Sequence, residues 1–207
     1  LAYHDGREFY NTTMFFGRDG ELLHRYNKVH LPPFEAQVLK AKRGGGRDIV
    51  FDIEGIRFGF LTCYDMYFGE IIEKLSSLQP DVIIFPSYQR GEDTANLYAQ
   101  TRLCANRCNA FVLRCSYSIK PDSAFGGCTH IAGPDGNPAA DFGQQVGVLD
   151  CEIDPKHKIM RANGYGMPLI PADFFVEAGR VPKVYRQCGS AMSLPDSKLP
   201  YPRVCAH

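Results

Sequence analysis

The chain has 207 residues, which is enough for one domain with a buried core and too few for two full-sized domains. Lys and Arg total 23 and Asp and Glu total 23, so the formal net charge is zero and the composition argues against a nucleic-acid partner. Apolar runs such as residues 82–85 are far shorter than the roughly 20 residues that cross a bilayer. We therefore expect a soluble protein with no membrane partner.

Eight cysteines, an even number, raise the alternative of a disulfide-linked framework. Several of them lie inside apolar runs, where a free cysteine behaves as a small hydrophobic residue, and a chain of this size needs no disulfides. We therefore expect reduced cysteines and a cytoplasmic protein. Cys104 and Cys108 share one face of a predicted helix, but no second pair at zinc-ligand spacing follows, which favours packing over metal binding.

Two β-hairpins are predicted in the first part of the chain, each from two apolar runs separated by a glycine-containing turn. The four runs are residues 12–16, 21–27, 49–53 and 56–61. Lys28 directly follows the first hairpin, and Cys63 closely follows the second. A lysine and a thiol are thus predicted at the ends of two strands.

Helices and buried strands are predicted to alternate further along the chain. Apolar residues at helical spacing predict helices over residues 70–78 and 94–109. Strands are predicted at residues 81–87, 110–115 and 147–153, with another pair on either side of the turn at 133–137. This alternation indicates mixed sheets covered by helices, which is an α/β layered architecture.

The composition changes after residue 154 toward glycine, proline and isolated aromatic residues. We expect only a short helix near residues 173–178 in this part of the chain. The predicted domain organisation is therefore a core over residues 1–154 and a C-terminal extension over residues 155–207. The extension is a candidate linker to a further domain.

Cys63 is a candidate nucleophile because it is predicted to stand where a buried strand gives way to a helix. A cysteine attacks as the thiolate, which both a helix N-terminus and a nearby ammonium group favour. Backbone N–H groups at that helix start could also hold an oxyanion, and Lys28 would supply positive charge. The pattern alone leaves open the alternative that Cys63 is a core residue.

Six blocks of the sequence resemble, in order, those of the carbon–nitrogen hydrolase family, the nitrilase superfamily. They are residues 10–11, 20–31, 58–66, 81–87, 102–106 and 126–136. The second block resembles the strand that ends in the catalytic lysine of that family, here Lys28. The third block resembles the family's nucleophile turn, here Cys63. Several blocks in the right order are far more specific than any one of them.

The resemblance implies a four-layer αββα sandwich that usually dimerises, and a Glu-Lys-Cys mechanism that uses no metal or organic cofactor. Cys63 would attack the carbon of a small carboxamide or N-carbamoyl compound, while Lys28 and the backbone N–H of Tyr64 would stabilise the oxyanion. Glu35 resembles a second family glutamate that positions the lysine or assists the leaving group. A solvated loop carboxylate is the alternative for Glu35. The implied partners are a small amide substrate and a second copy of the chain.

The sequence departs from the family at the general base. That glutamate ends an early strand well before the lysine, whereas here only Glu8 and Glu21 precede Lys28, and neither ends an apolar strand. We therefore expect the opening strand–helix unit to be missing, so that the fold is N-terminally incomplete. A second hypothesis follows, in which the domain is catalytically silent and only binds or dimerises. Tyr67 stands where the family commonly has arginine, which bears on substrate choice.

Overall fold

The computed structural model describes residues 2–162 and 164–184. In chain order the strands are β1 (Ala2–His4), β2 (Phe9–Phe16), β3 (Leu22–Asn27), β4 (Val50–Ile53), β5 (Ile56–Phe60), β6 (Val82–Ser87), β7 (Phe111–Ser116), β8 (Thr129–Ala132), β9 (Pro138–Gly143), β10 (Met160–Ala162) and β11 (Leu169–Pro171). The α-helices are α1 (Gly69–Leu78), α2 (Thr94–Cys108) and α3 (Ala172–Ala178). Two shorter helical turns, one π-helical (Phe34–Val38) and one 3₁₀ (Cys63–Tyr67), complete these elements.

The two predicted hairpins are both present and belong to different sheets. β1, β2 and β3 form a small antiparallel sheet in that order, which contains the first hairpin. The larger sheet has the order β4-β5-β6-β7-β8-β9 and begins with the second hairpin. In this sheet β5, β6 and β7 are parallel, so their carboxyl ends lie at the same edge.

The side chains of β5 show how the layers pack, because successive residues of a strand face opposite ways. The Phe58 and Phe60 rings lie 5.1 and 6.3 Å from that of Phe15 in β2, so this face of the larger sheet meets the smaller sheet. Gly59 faces the other way, where an added Cβ would come within 2.9 Å of Leu75 in α1. The order is therefore helices, larger sheet, smaller sheet, as expected for the predicted α/β sandwich of the nitrilase type.

The predicted strand at residues 147–153 is absent, and this part of the chain has no regular structure. Val146 and Val148 are 89% and 87% exposed. Leu149, Cys151 and Ile153 are half-buried, yet the segment pairs with no strand, so here the alternation marks one partly buried side of an irregular segment.

The segment after residue 154 packs against the body of the domain. Its short helix, α3, agrees with the prediction for residues 173–178. Asn109, which ends α2, donates to the carbonyl of Ile159 at 3.1 Å and to Asp173 at 2.9 Å, and accepts from the Ile159 N–H at 2.8 Å. One amide side chain thus attaches β10 and α3 to the end of α2. The predicted boundary at residue 154 stays a prediction, and residues 185–207 of the predicted extension lie outside the described part of the chain.

Candidate active site

Lys28 lies directly after β3, and its side chain is completely buried. Its Nζ donates to both carboxylate oxygens of Glu35, at 2.8 and 3.0 Å. Asn11 of β2 donates to the same carboxylate at 3.3 Å. Glu35 belongs to the π-helical turn, and its side chain is only 18% exposed, so it is not the solvated loop carboxylate of the alternative interpretation. The buried ammonium group is therefore paired with a carboxylate.

Cys63 begins the 3₁₀ turn that follows β5, and its backbone has φ of +47°. The left-handed region is unfavourable for residues with a Cβ atom, so this backbone is strained. The helix predicted directly after Cys63 is instead this 3₁₀ turn, and α1 begins only at Gly69. The N–H of Tyr64 lies in the first turn, where helical N–H groups have no partner inside the helix.

Asp65 connects the two segments that carry Lys28 and Cys63. Its buried carboxylate accepts hydrogen bonds from the hydroxyl of Tyr26 at 2.8 Å, the N–H of His30 at 2.8 Å and the N–H of Thr62 at 3.0 Å. Burial, and after it the charge of Asp65, raise the pKa of the Tyr26 phenol well above its usual value. One carboxylate therefore fixes residues beside Lys28 and beside Cys63 at the same time.

A cavity of about 1060 Å³ opens at the carboxyl ends of β5, β6 and β7. Cys63, Tyr64 and Glu35 all line it. Much of the remaining wall is aromatic or prolyl, formed by Phe34, Tyr67, Tyr88, Tyr117, Pro32 and Pro86. Such a wall, with a few polar groups converging on it, is typical of a site for a small molecule.

Tyr67 and Glu92 join two parts of the cavity wall. The Tyr67 hydroxyl donates to Glu92 at 2.6 Å, and the amide of Asn96 donates to the other oxygen of Glu92 at 3.0 Å. Burial, and after it this hydrogen bond, raise the pKa of Tyr67, whereas the bond from Tyr67 is the main cause that lowers the pKa of Glu92. The aromatic residue at position 67 is thus part of the wall that a substrate would meet.

The structure brings the four sequence-predicted residues into one region, with Lys28 bonded to Glu35 and the other two beside Glu35 in the cavity wall. Sequence reasoning missed Asp65 and Asn11. Asp65 had one usable signal, because a carboxylate two residues after a candidate nucleophile is well placed to cap its turn. Asn11 had only its place in a family-like block.

The residues that the structure describes contain no group of three or more His, Cys, Asp or Glu side chains that could hold a metal ion. Among the same residues, no helix has the length and apolar character that a membrane crossing would need.

A comparison with protein families gives a match to the carbon–nitrogen hydrolase model over residues 1–158. The chain belongs to the carbon–nitrogen hydrolase family. Its relatives include 2-oxoglutaramate amidase from Bacillus subtilis, which is 27% identical over 157 residues, and omega-amidase NIT2 from Homo sapiens, which is 26% identical over 161 residues. These matches cover 74% and 73% of this chain, but only 60% and 58% of the relatives. The chain thus spans little more than half the length of the relatives it matches.

Solved structures support the fold of this carbon–nitrogen hydrolase. The NitN amidase from Nesterenkonia sp. AN1 superposes with a TM-score of 0.67 at 21% identity, covering 91% of this chain and 67% of the other. A mutant of an amidase from the same source, with a TM-score of 0.62 at 20% identity over 87% of this chain and 61% of the other, carries the acetamide moiety of fluoroacetamide covalently at its active-site cysteine. At these identities the likeness establishes the α/β architecture of this chain.

Proposed function

We propose that this protein is an amidase-type hydrolase that cleaves the C–N bond of a small carboxamide or N-carbamoyl compound through a cysteine acyl-enzyme. The observation that carries the proposal is the placement of Cys63 and Glu35 on one cavity, with Glu35 bonded to the buried Lys28. Membership of the carbon–nitrogen hydrolase family supports the reaction class.

In the proposed mechanism, the Sγ of Cys63 attacks the amide carbon, and a C–S bond forms as the carbonyl oxygen takes up negative charge. Lys28 and the backbone N–H of Tyr64 stabilise this oxyanion. The C–N bond then breaks, the leaving nitrogen takes up the proton that the Cys63 thiol has given up, and a thioester remains. Water attacks the thioester, which releases the carboxylic acid and restores the thiol. Glu35 holds the Lys28 ammonium group in place throughout.

The relatives support a small amide as the substrate, since one is named for 2-oxoglutaramate and another is an omega-amidase. The aromatic wall and the volume of about 1060 Å³ suit a molecule of this size. The reaction as written needs no cofactor. The proposal includes a homodimer, which the resemblance to the family supports. It also includes a cytoplasmic location, which the reduced cysteines expected from the sequence support.

The test replaces Cys63 with alanine and assays the full protein on a panel of small amides, with ammonia release and mass spectrometry of the acyl-enzyme as readouts. We expect both signals to disappear in Cys63→Ala. The matched control is Cys151→Ala, which removes another half-buried free thiol outside the cavity lining and should retain activity. Turnover that persists in Cys63→Ala would refute the proposal.

A second candidate function is a catalytically silent domain that binds amides or dimerises, and the carboxylates of the cavity favour it. In the part of the chain that the structure describes, the cavity-lining carboxylates are Glu35 and Glu92, and both already accept hydrogen bonds from neighbouring side chains. A thiol attack needs a proton acceptor. Amide binding by the unsubstituted protein, without ammonia release or acyl-enzyme, would support this second function.

A further inference from the structure

Arg114 in β7 is a buried cation without a carboxylate partner among the described residues. It is only 2% exposed. Its Nη1 donates to the side-chain oxygen of Gln89 at 2.8 Å, and its Nη2 donates to the carbonyl of Gly127 at 3.3 Å. Its Nε has no hydrogen-bond partner within residues 2–162 and 164–184, and its guanidinium carbon lies 5.1 Å from the ring centre of Phe85. The hydrogen bonds and the ring contact that the structure describes for this charge are therefore with neutral groups.

An unpaired charge in a protein interior is costly, and the fold does not need one at this position. Arg114 pairs across the sheet with Phe85 of β6, and Val112 lies on the same face of β7; both of these residues are completely buried and apolar. An apolar side chain would suit such surroundings. Charges retained at this kind of cost are concentrated at functional sites.

Arg114 lies directly behind the cavity wall. The next two residues of β7, Cys115 and Ser116, line the cavity. So do Gln89 and Ser87, and the Gln89 oxygen that accepts from Arg114 also accepts from the Ser87 hydroxyl at 2.8 Å. The guanidinium is therefore bonded directly to a side chain that lines the space that a substrate would occupy.

The titratable groups within electrostatic reach of Arg114 are mostly weak acids. Burial lowers the pKa of Arg114, and ionisation of any of these acids would raise it. They are Cys128, Cys63, Tyr67 and Cys115. His130, paired with Arg114 across β7 and β8, has a pKa lowered first by burial and also by Arg114, so it adds no competing charge near neutral pH. The charged residues that line the cavity are Arg90, Glu92 and Glu35, the last of which is bonded to Lys28, and the charge of Asp141 acts on His130 and Cys128.

We propose that Arg114 is a positioning residue that supplies uncompensated positive charge behind the cavity wall and thereby favours the thiolate of Cys63 and the anionic intermediate formed on it. It acts through Cys63 and through Gln89 and does not touch the substrate. The inference rests on the proposed function, in which Cys63 is the nucleophile. Arg114 would then be a second cation near Cys63, besides Lys28. The two cations lie on opposite sides of the turn that carries Cys63, with Lys28 on the side of the smaller sheet.

The test measures the rate at which iodoacetamide alkylates Cys63 between pH 6 and 10, by mass spectrometry of the peptide that contains it. At an effective dielectric constant of about 20, one unit charge in the surroundings of a thiol changes its ionisation equilibrium by roughly one order of magnitude. Arg114→Met should therefore lower the rate at pH 7 about ten-fold and move the midpoint of the pH profile upward by about one unit. Arg114→Lys keeps the positive charge and should therefore show an alkylation rate and a midpoint close to those of the unsubstituted protein.

Gln89→Glu provides the second variant, because it keeps the shape of the wall and gives Arg114 a counter-ion. We expect it to move the midpoint in the same direction as Arg114→Met. Gln100→Glu is the matched control, since Gln100 accepts from Gln89 at 2.8 Å whereas Arg114 donates to Gln89 and Gly127, and it should move the midpoint less.

The outcomes distinguish the role proposed for Arg114 from the proposed hydrolase function, because alkylation of Cys63 requires no turnover. Equal pH profiles in the unsubstituted protein, Arg114→Met and Gln89→Glu would overturn the role of Arg114 and leave the proposed function intact. Turnover that persists in Cys63→Ala would instead remove the nucleophile on which both depend. If Arg114→Met does not fold, the comparison of Gln89→Glu with Gln100→Glu decides alone.

Discussion

The two members of the Lys28–Glu35 pair depend on each other to different degrees. The side chain of Lys28 is completely buried, whereas that of Glu35 is 18% exposed and also accepts from Asn11. Glu35 therefore retains a donor if the lysine is lost, but the described structure gives the Lys28 ammonium no other carboxylate. Removal of the carboxylate leaves an uncompensated buried charge, which is the costlier change.

Glu35→Gln should accordingly lower the free energy of unfolding by about 3 kcal/mol, since it breaks a buried pair from one side. Urea denaturation monitored by circular dichroism measures this. The matched control is Glu54→Gln, which removes the partner of Arg18 in a largely exposed pair and should cost much less. Equal costs for the two variants would contradict the buried pairing of Lys28.

The strained backbone of Cys63 predicts that a glycine variant is more stable than an alanine variant at this position, which reverses their usual order of stability. At φ of +47°, glycine is the only residue without a Cβ penalty, so Cys63→Gly should be about 1 kcal/mol more stable than Cys63→Ala. Chemical denaturation of the two variants measures the difference. Cys115 in β7 is the control, because glycine in a strand should there be less stable than alanine. Alanine more stable than glycine at both positions would show that residue 63 is not strained.

At the scale of the elements, Asp65 ties the end of β3 to the 3₁₀ turn after β5. Asp65→Asn can keep only some of the hydrogen bonds that the Asp65 carboxylate accepts, because an amide has one accepting oxygen where the carboxylate has two. We expect a loss of about 2 kcal/mol in unfolding free energy, together with slower alkylation of Cys63 as its turn loses its anchor.

The control for this substitution is Asp141→Asn, which changes a carboxylate that accepts from Tyr98 in an exposed setting. It should cost less in stability and leave the alkylation rate of Cys63 unchanged. An Asp65→Asn protein that matched Asp141→Asn in both measurements would show that the anchor is dispensable.

The ends of β3 and β5 could be predicted from the sequence because hairpin patterns are local. Apolar alternation and the intervening glycine turns place Lys28 and Cys63 without reference to the rest of the chain. The anchoring role of Asp65 could not be predicted, since its partners Tyr26 and His30 lie 39 and 35 residues away in sequence. Contacts of that range depend on how the two sheets pack.

Burial of the predicted site could not be predicted for the same reason. In the sequence, Glu35 looks like a loop carboxylate exposed to solvent. It is shielded from solvent because its turn packs against β2 and Lys28. Residues 147–153 show a different error, because Leu149, Cys151 and Ile153 alternate with exposed residues as in a strand, yet no strand forms there. A one-dimensional pattern records polarity but carries no information on whether a neighbour is present.

At the scale of the whole molecule, stability toward mild acid should depend on His130. Burial lowers its pKa below 6.5, so the folded protein binds the proton less readily than the unfolded chain. The unfolded state therefore gains protons first as the pH falls below about 6.5, and the free energy of unfolding decreases.

His130→Asn should remove this contribution. Between pH 7.5 and pH 5.5, the unsubstituted protein should lose about 1 kcal/mol more unfolding free energy than the variant. Urea denaturation at the two pH values gives the comparison, with the exposed His157→Asn as a control that should behave like the unsubstituted protein. An identical pH dependence for His130→Asn and the unsubstituted protein would exclude His130 as the cause.

The cavity is assembled from segments that are far apart in the order of synthesis. One side comes from Asn11 and Glu35, and another comes from residues 115–117 at the end of β7. A growing chain therefore has no complete cavity until residue 117 has left the ribosome and β7 has joined β6. Shorter nascent chains carry Cys63 without the pocket that surrounds it. Completion of the cavity thus depends on the larger sheet, and a delay in pairing β7 would delay it.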